Sequence, residues 1–516
     1  MLARCSSAAL QGLEALPVSV EVDIAPGLPG LQMVGLADAA VLEARERVRA
    51  ALRNSGLRVP LTRVVVSLAP ADLRKAGPSF DLPIALALLV ASSQLLPERL
   101  EGVWCAGELG LDGRLRPVRG VLALALAARR AGARALLVPA ANADEAALVE
   151  GLRVWGGEDL GGVLALLAEP SRAVRPVPRP APRQEQAPPD LADVHGQLHG
   201  RRALEIAAAG GHHLLLVGPP GSGKTMLARR LPGLLPPLAA SEALELTGLH
   251  SVAGLLAEGS GLVRRRPFRS PHHSCSARAL LGGGSLPRPG ELSLAHHGVL
   301  FLDELAEFRR EALESLRQPL EEGEVWISRA RQRCCFPCRV TLVAATNPCP
   351  CGWFGDTARP CVCGEGQRRR YWSHLSGPLL DRLDLQVVMR RPSARDLASL
   401  GKAPSPGAGE PEGSAAVAER VRRARRKMEQ RNPGACPNAA LPAEALAQVL
   451  SLEGNARQLW EAALEQRHLS ARSALRMLRV ARTIADLEGR RTLGAAAIAE
   501  ALTYRSFDLE AEGRSR

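Results

Sequence analysis

The middle of the sequence predicts an α/β fold built on a parallel sheet. Three short apolar runs carry that prediction: Leu214–Val217, Val299–Leu302 and residues 340–345. None shows the alternation of a half-solvated strand, and longer stretches of helical pattern separate them. Strands buried on both faces with helices between them define an α/β sandwich.

The 516 residues leave room for two to four domains. Hydrophobic residues make up 46% and aromatic residues only 3%, so the cores should be aliphatic. Lys and Arg (66) outnumber Asp and Glu (53), for a formal charge of +13. That excess suits a polyanionic partner such as nucleic acid, or simply a soluble arginine-rich surface, and charge alone does not choose. No apolar run reaches the ~20 residues of a membrane helix. The best candidate, 82–91, is interrupted by Pro83. The N-terminus meets Glu14 before any sustained apolar stretch and makes a poor secretory signal. The expected location is the cytoplasm, where the eleven cysteines are better read as thiols or metal ligands than as disulfides.

Composition places the boundaries. Residues 170–189 (PSRAVRPVPRPAPRQEQAPP) cannot bury enough surface to fold, and their prolines favour an extended linker. They separate an N-terminal domain, 1–169, from a core at 190–400. A second soft segment at 401–414, reading KAPSPGAGEPEGS from Lys402, precedes a helical region at 415–516. Helices are expected there at 415–430, 442–450, 455–465, 470–487 and 493–502, with Ser470 as an N-cap and Gly489 as a stop.

The sharpest motif is Gly218-Pro219-Pro220-Gly221-Ser222-Gly223-Lys224-Thr225. It fits G-x-x-x-x-G-K-[ST], follows an apolar strand and opens a helix expected at 225–231. Glycines let the backbone N–H groups close on phosphate at a helix N-terminus. Lys224 is placed to reach the β and γ phosphates of ATP, and the Thr225 hydroxyl to bind Mg²⁺. The run Gly298 to Leu302 ends in Asp303-Glu304. A buried strand delivers two carboxylates to its C-terminal edge, where open α/β sheets bind ligands. Asp303 would hold magnesium and Glu304 would orient and deprotonate the attacking water; taken alone, the pair also suits a helix N-terminus. The 340–345 strand leads to Asn347, a polar sensor for the γ-phosphate or the lytic water. The segment 376–382 ends in Arg382, which can stabilise phosphoryl charge in trans in a ring of subunits, or pair with Asp381 or Asp384.

Seven of the eleven cysteines lie between Cys334 and Cys363. Cys349-x-Cys351 and Cys361-x-Cys363 form two close pairs that suit a structural Zn²⁺, although C-x-C is tighter than the common spacing; the alternative is four free thiols. Cys334, Cys335 and Cys338 fall on a hairpin expected at 325–339 and fit no metal pattern. Three basic clusters are candidates for DNA contact: Arg264-Arg265-Arg266 with Arg269, Arg329/Arg331/Arg333, and Arg368-Arg369-Arg370 with Tyr371 and Trp372 as stacking aromatics. The doublets His272-His273 and His296-His297 lack metal-helix spacing and are read as structural or interface residues.

With these motifs assembled, the core resembles the ATPase subunits of magnesium chelatase, and the whole chain resembles the ComM/YifB family of magnesium chelatase-like AAA+ proteins. The likeness runs from residue 1 to about 507. It rests on residues 26–30 (PGLPG), 200–225, 266–273 (RPFRSPHH), 287–291 (PRPGE), 347–352 (NPCPCG) and 480–487 (VARTIADL). The resemblance implies a hexameric ring with Arg382 as arginine finger. It also implies a helical lid with Arg472 as the sensor arginine (Arg476 second), and a helicase that drives DNA branch migration in natural transformation. A chelatase-like or chaperone-like ATPase acting on protein partners is the rival. Residues 1–169 resemble the proteolytic, ribosomal-S5-like domain of Lon, through Gly77-Pro78-Ser79, 106–109 (AGEL) and 118–120 (VRG). The Lon resemblance makes Ser79 the nucleophile position, but the position of its lysine is Leu122 here. A serine without a base is a weak nucleophile, so no peptidase activity is expected; Lys75 is a remote substitute.

Overall fold

The computed structural model describes residues 2–173, 176, 188–257, 259, 261–284, 286–329, 332–392, 412–467 and 470–505. Most of the two soft segments read from composition lies outside these residues.

The first part is built on a seven-stranded mixed sheet. Its strand order is Gly30–Val34, Arg63–Ala69, Glu14–Ala25, Leu2–Gln11, Val103–Cys105, Ala135–Pro139 and Val154–Gly157. The long hairpin Leu2–Gln11/Glu14–Ala25 is antiparallel, and the strands from Val103 onward add in parallel. One face is covered by the helix Asp81–Ala91, every residue of which is buried. Such a helix carries an unbroken apolar sequence because it has no solvent side. Its buried Asp81 is matched by Arg47, with contacts of 2.7 and 2.9 Å. Burial pushes the Asp81 carboxyl up, while Arg47 works against that shift. The other face packs on Val121–Arg130 and Ala140–Ala146.

The core from 190 holds a five-stranded, all-parallel sheet. Its order is Phe268–Arg269, Val299–Leu302, Thr341–Thr346, Leu214–Val217 and Leu385–Val388. Leu214–Val217, Val299–Leu302 and Thr341–Thr346 are buried at every residue, as their unalternating sequences require. The first strand in sequence sits between the fourth and the fifth. The C-terminal ends of three neighbouring strands therefore lie in a row and lead into Gly218, Asn347 and Asp303.

Two details differ from the sequence expectation. The strand before Asn347 starts one residue later, at Thr341. The helix after the phosphate motif is short, Lys224–Ala228, and a separate turn, Leu231–Leu234, follows. Pro232 in that turn has no N–H to continue the helical ladder.

The C-terminal helices are Ser414–Arg431, Ala443–Val449, Gly454–Arg467, Ala471–Leu487 and Ala495–Thr503. Ser470 caps the fourth by accepting from Ser473 N, and Gly489 takes a positive φ after its end. These helices share one core with the sheet: Val417, Val421, Met428, Met477, Ile484 and Tyr504 cluster with Leu214, Leu216, Phe301 and Val343. The opposite face of the sheet packs on Phe308, Leu313, Trp372, Leu379 and the hairpin Glu324–Arg329/Gln332–Pro337. Gly12, in the turn of the N-terminal hairpin, packs on Cys334 of that second hairpin. Buried Glu145 accepts from Leu122 N and from the Ser251 hydroxyl, joining the first part to the helix Ala240–Ala253.

Buried Asp486 organises the helical region. It accepts from Arg431 (2.6 and 2.9 Å), Asn438 (2.9 Å) and Arg482 (2.9 Å). Asp486→Ala leaves the buried Arg482 guanidinium without its charge partner and should cost about 3–5 kcal/mol. Thermal unfolding checks this; an unchanged melting temperature would contradict the assigned role of the network.

Candidate nucleotide site

The loop 218–223 folds for reasons legible in its residues. Gly221 and Gly223 take φ of +78° and +88°, and an added Cβ at either would meet open space. Glycine is therefore required there by backbone conformation rather than by crowding. At Gly218 an added Cβ would meet Met389 O at 2.5 Å, so a side chain is excluded. Pro219 O and Gly218 O both accept from Lys224 Nζ, at 3.1 and 2.6 Å. Pro220 packs against Gly352. Ser222 is buried, and its hydroxyl has no partner among the described residues.

The sequence-assigned residues meet at the sheet edge. Lys224 Nζ donates to Asn347 Oδ1 at 3.1 Å, joining the ends of adjacent strands. Thr225 Oγ1 donates to Asp303 Oδ2 at 2.8 Å. Burial lowers the Lys224 pKa, and Asp303 and Glu304 oppose that shift. Glu304 stands in the left-handed region at φ +52°, its N–H donating to Asp303 Oδ1 at 3.0 Å. A non-glycine residue held there is strained, which is common at functional positions.

One contact was not legible from the sequence. His273 Nδ1 lies 2.9 Å from Glu304 Oε2. A helix-spacing rule has no access to it, because the two residues belong to different strand ends. His296 and His297 both reach Glu245, at 3.1 and 2.9 Å, and hold its carboxyl well below the usual range. His296 Nδ1 accepts from Arg339 N, which leaves Nε2 as the nitrogen that faces Glu245. The ligand atoms of Glu245, His296 and His297 lie within 4.8 Å of one another.

Arg382 and Arg472 lie away from the loop. Arg382 is buried and pairs with Glu321 at 2.8 Å, neither with Asp381 nor with Asp384. Asp384 is taken by His212 and Arg476. Arg476, the second sensor candidate, thus sits in a buried network, whereas Arg472 is exposed and reaches Glu321 at 3.3 Å.

The four cysteines converge. Cys349, Cys351, Cys361 and Cys363 place their sulfurs within 4.8 Å of one another, with contacts of 3.3 Å (Cys349–Cys351) and 3.6 Å (Cys349–Cys361). Tetrahedral Zn²⁺ with bonds of about 2.3 Å separates its sulfurs by about 3.8 Å, so the tetrad fits a structural zinc. Cys351 N and Cys363 N each donate to a thiol of the tetrad, at 3.4 Å. The loop is anchored under the site: Trp372 Nε1 donates to Pro348 O at 3.0 Å, and the Tyr371 hydroxyl meets Thr346 Oγ1 at 3.1 Å. Trp372 is thus buried, and Tyr371 is half-buried with its hydroxyl engaged, which weighs against their expected role as base-stacking residues. Burial raises the thiols of Cys335 and Cys338 to about 11 and about 12, as for apolar hairpin residues.

The basic clusters divide in the same way. Arg266 is tied to Pro236 O, His297 O and Glu242, and Arg269 to Glu291 by a two-point contact. Arg368 caps the Phe354 ring and Arg333 the Trp326 ring. Arg331 and the Arg329 side chain lie outside the described residues. In the first part, Leu122 is buried on its helix, and the Lys75 amine donates to Pro70 O.

The fold and this site define a P-loop nucleotide-binding protein of the magnesium chelatase type. The family model for magnesium chelatase subunit ChlI matches residues 190–397, with companion models at 20–142 and, for the ChlI C-terminal region, at 411–505. The chain is 46% identical over 507 residues to an uncharacterised protein of Mycobacterium tuberculosis, covering 98% of each. It is 44% identical to YifB of Escherichia coli (96% of each) and 42% identical to the competence protein ComM of Haemophilus influenzae (98% of each). The chain belongs to the YifB/ComM family of magnesium chelatase-like proteins. A partial likeness to the Lon protease of Salinispora arenicola, 31% identity over 166 residues, covers 30% of this chain and 21% of that one.

Gly352 ties the cysteine loop to the phosphate loop. At φ +83°, an added Cβ would stand 2.8 Å from Pro220 Cδ. Gly352→Ala should displace Pro220 and weaken nucleotide binding roughly tenfold, the equivalent of about 1.4 kcal/mol. Titration with a fluorescent ATP analogue measures this, and unchanged affinity would show that the two loops are independent.

Proposed function

We propose that this chain is an ATP-hydrolysing AAA+ motor that works on DNA, as a hexameric helicase promoting branch migration in recombination or natural transformation. The observation that carries the ATPase half is the convergence of Lys224, Asn347, Thr225 and Asp303 on one sheet edge. The DNA half rests on likeness to a protein named for competence and on the +13 charge.

In this reading the N–H groups of 218–223 and the Lys224 amine bind the β and γ phosphates. Lys224 exchanges its loop carbonyl partners for phosphate oxygens, so the bonds it now makes hold it in place for the nucleotide. Thr225 and Asp303 would hold magnesium, which supplies neutralisation of the phosphate charge. Glu304 orients the lytic water and takes its proton. Asn347 holds the water or the γ-phosphate by hydrogen bond. Arg382 of one subunit, with Arg472, stabilises the charge developing on a neighbour's nucleotide. Cys349, Cys351, Cys361 and Cys363 hold a structural zinc that fixes the loop under Asn347. We divide the chain into a Lon-like domain (1–169), a linker (170–189), an AAA+ core (190–400), a second linker (401–414) and a helical lid (415–516). The Lon-like part is inactive as a protease: Leu122 offers no base, and Lys75 is engaged with Pro70. No described helix is long and apolar enough to cross a membrane, and we place the protein in the cytoplasm. The second reading, an ATPase acting on protein partners, is favoured by the chelatase family match itself.

Steady-state ATPase activity with single-stranded, duplex and four-way-junction DNA at two salt concentrations decides between these readings. DNA should stimulate turnover, the stimulation should fall with salt, and Glu304→Gln should lower kcat about a hundredfold or more, as expected for loss of a general base. ATPase activity indifferent to every DNA would move the assignment to a protein partner. Elemental analysis of protein purified without chelator should return one zinc per chain; none would remove the zinc assignment. Casein should remain uncut, and digestion abolished by Ser79→Ala would overturn the inactive-protease assignment.

A further inference from the structure

Two arginines from distant parts of the chain converge on one carboxylate oxygen. Glu321, on the helix Arg317–Glu322, places Oε1 2.8 Å from Arg382 Nη2 and 3.3 Å from Arg472 Nη2. Arg382 lies just before the strand Leu385–Val388, and Arg472 is in the first turn of the helix Ala471–Leu487. Arg382 also donates to Arg317 O at 2.9 Å and to Pro378 O at 2.6 Å, and its side chain is only 6% exposed. Glu321 and Arg472 are open, at 37% and 57%. Beside the group is a cavity of about 460 Å³ whose walls include Arg317 and Arg382 together with Glu314, Glu321, Glu322 and Glu324. Arg317 is itself paired with Glu314 at 2.6 Å.

Arginine binds carboxylate and phosphate through the same planar fork. Here a single carboxylate oxygen serves two guanidinium groups. A terminal phosphate offers three oxygens and more charge than the carboxylate it would replace.

We infer that Glu321 is a latch: it occupies Arg382 and Arg472 in the isolated subunit and yields them to the terminal phosphate of a nucleotide held by a second copy of the chain. This rests on the proposed role of Arg382 in trans. It accounts for the burial, on its own subunit, of an arginine whose substrate belongs to a neighbour. Glu321 acts on the nucleotide through the two arginines and is therefore a positioning residue.

The test is the KM-against-kcat split for MgATP in the full-length chain. Glu321→Gln keeps the size and the acceptor oxygen and removes the charge. KM should fall about three- to fivefold, the factor set by loss of one partly exposed ion pair, with kcat no lower than wild type. Glu321→Asp keeps the charge with a shorter reach and should fall between. Lower kcat at unchanged KM would show that Glu321 supports the arginines, and would overturn the latch, as would an unchanged profile. Arg382→Ala tests the underlying reading separately: turnover at the wild-type rate would remove the role in trans whatever Glu321→Gln does. Lost turnover in Arg382→Ala together with an unmoved KM in Glu321→Gln would remove the latch alone.

Discussion

The hydrogen bond between Lys224 Nζ and Asn347 Oδ1 is the contact on which the site depends. It exists because Leu214–Val217 and Thr341–Thr346 are adjacent parallel strands with paired registers, so their following residues emerge side by side. Val299–Leu302 pairs with Thr341–Thr346 on the other side and brings Asp303 to the same edge. The three strands have no solvent face. Apolar burial holds their register, because any shift along the sheet would move a core residue out of place. The polar site is thus fixed by the apolar core beneath it.

Both faces of that sheet transmit its position elsewhere. One shares its core with the C-terminal helices, whose charged centre is Asp486. The other packs on the helices and hairpin that carry Glu321 and Cys334, and the hairpin meets the N-terminal turn at Gly12. The cysteine loop joins the site from below, through Gly352 against Pro220 and Tyr371 against Thr346. A change at the loop 218–223 therefore has packed routes to the C-terminal helices, to the hairpin and to the cysteine loop.

Much of the site was readable from the sequence because its geometry is local to strand ends. A glycine-rich turn after an apolar strand, and two acids after another, each specify a position relative to a sheet edge. The parallel sheet follows from the absence of alternation in those strands. What sequence could not supply depends on side chains meeting across long separations. His273 against Glu304, and Arg382 with Arg472 at Glu321, leave no periodic trace. Tyr371 and Trp372 read as stacking aromatics because they adjoin three arginines, but the Trp372 ring is buried against Pro348 and the Tyr371 hydroxyl is engaged by Thr346. Arg266 and Arg269, similarly, are consumed by Glu242 and Glu291 rather than left free for phosphate.

The most direct test of the account is calorimetric titration of MgATP into the wild-type chain, Lys224→Ala and Asn347→Ala, with turnover measured on the same samples. If the sheet edge is the nucleotide site, Lys224→Ala loses binding. Asn347→Ala keeps binding but loses turnover, because its role is with the lytic water or the γ-phosphate. Wild-type affinity in Lys224→Ala would place the nucleotide elsewhere and contradict the account.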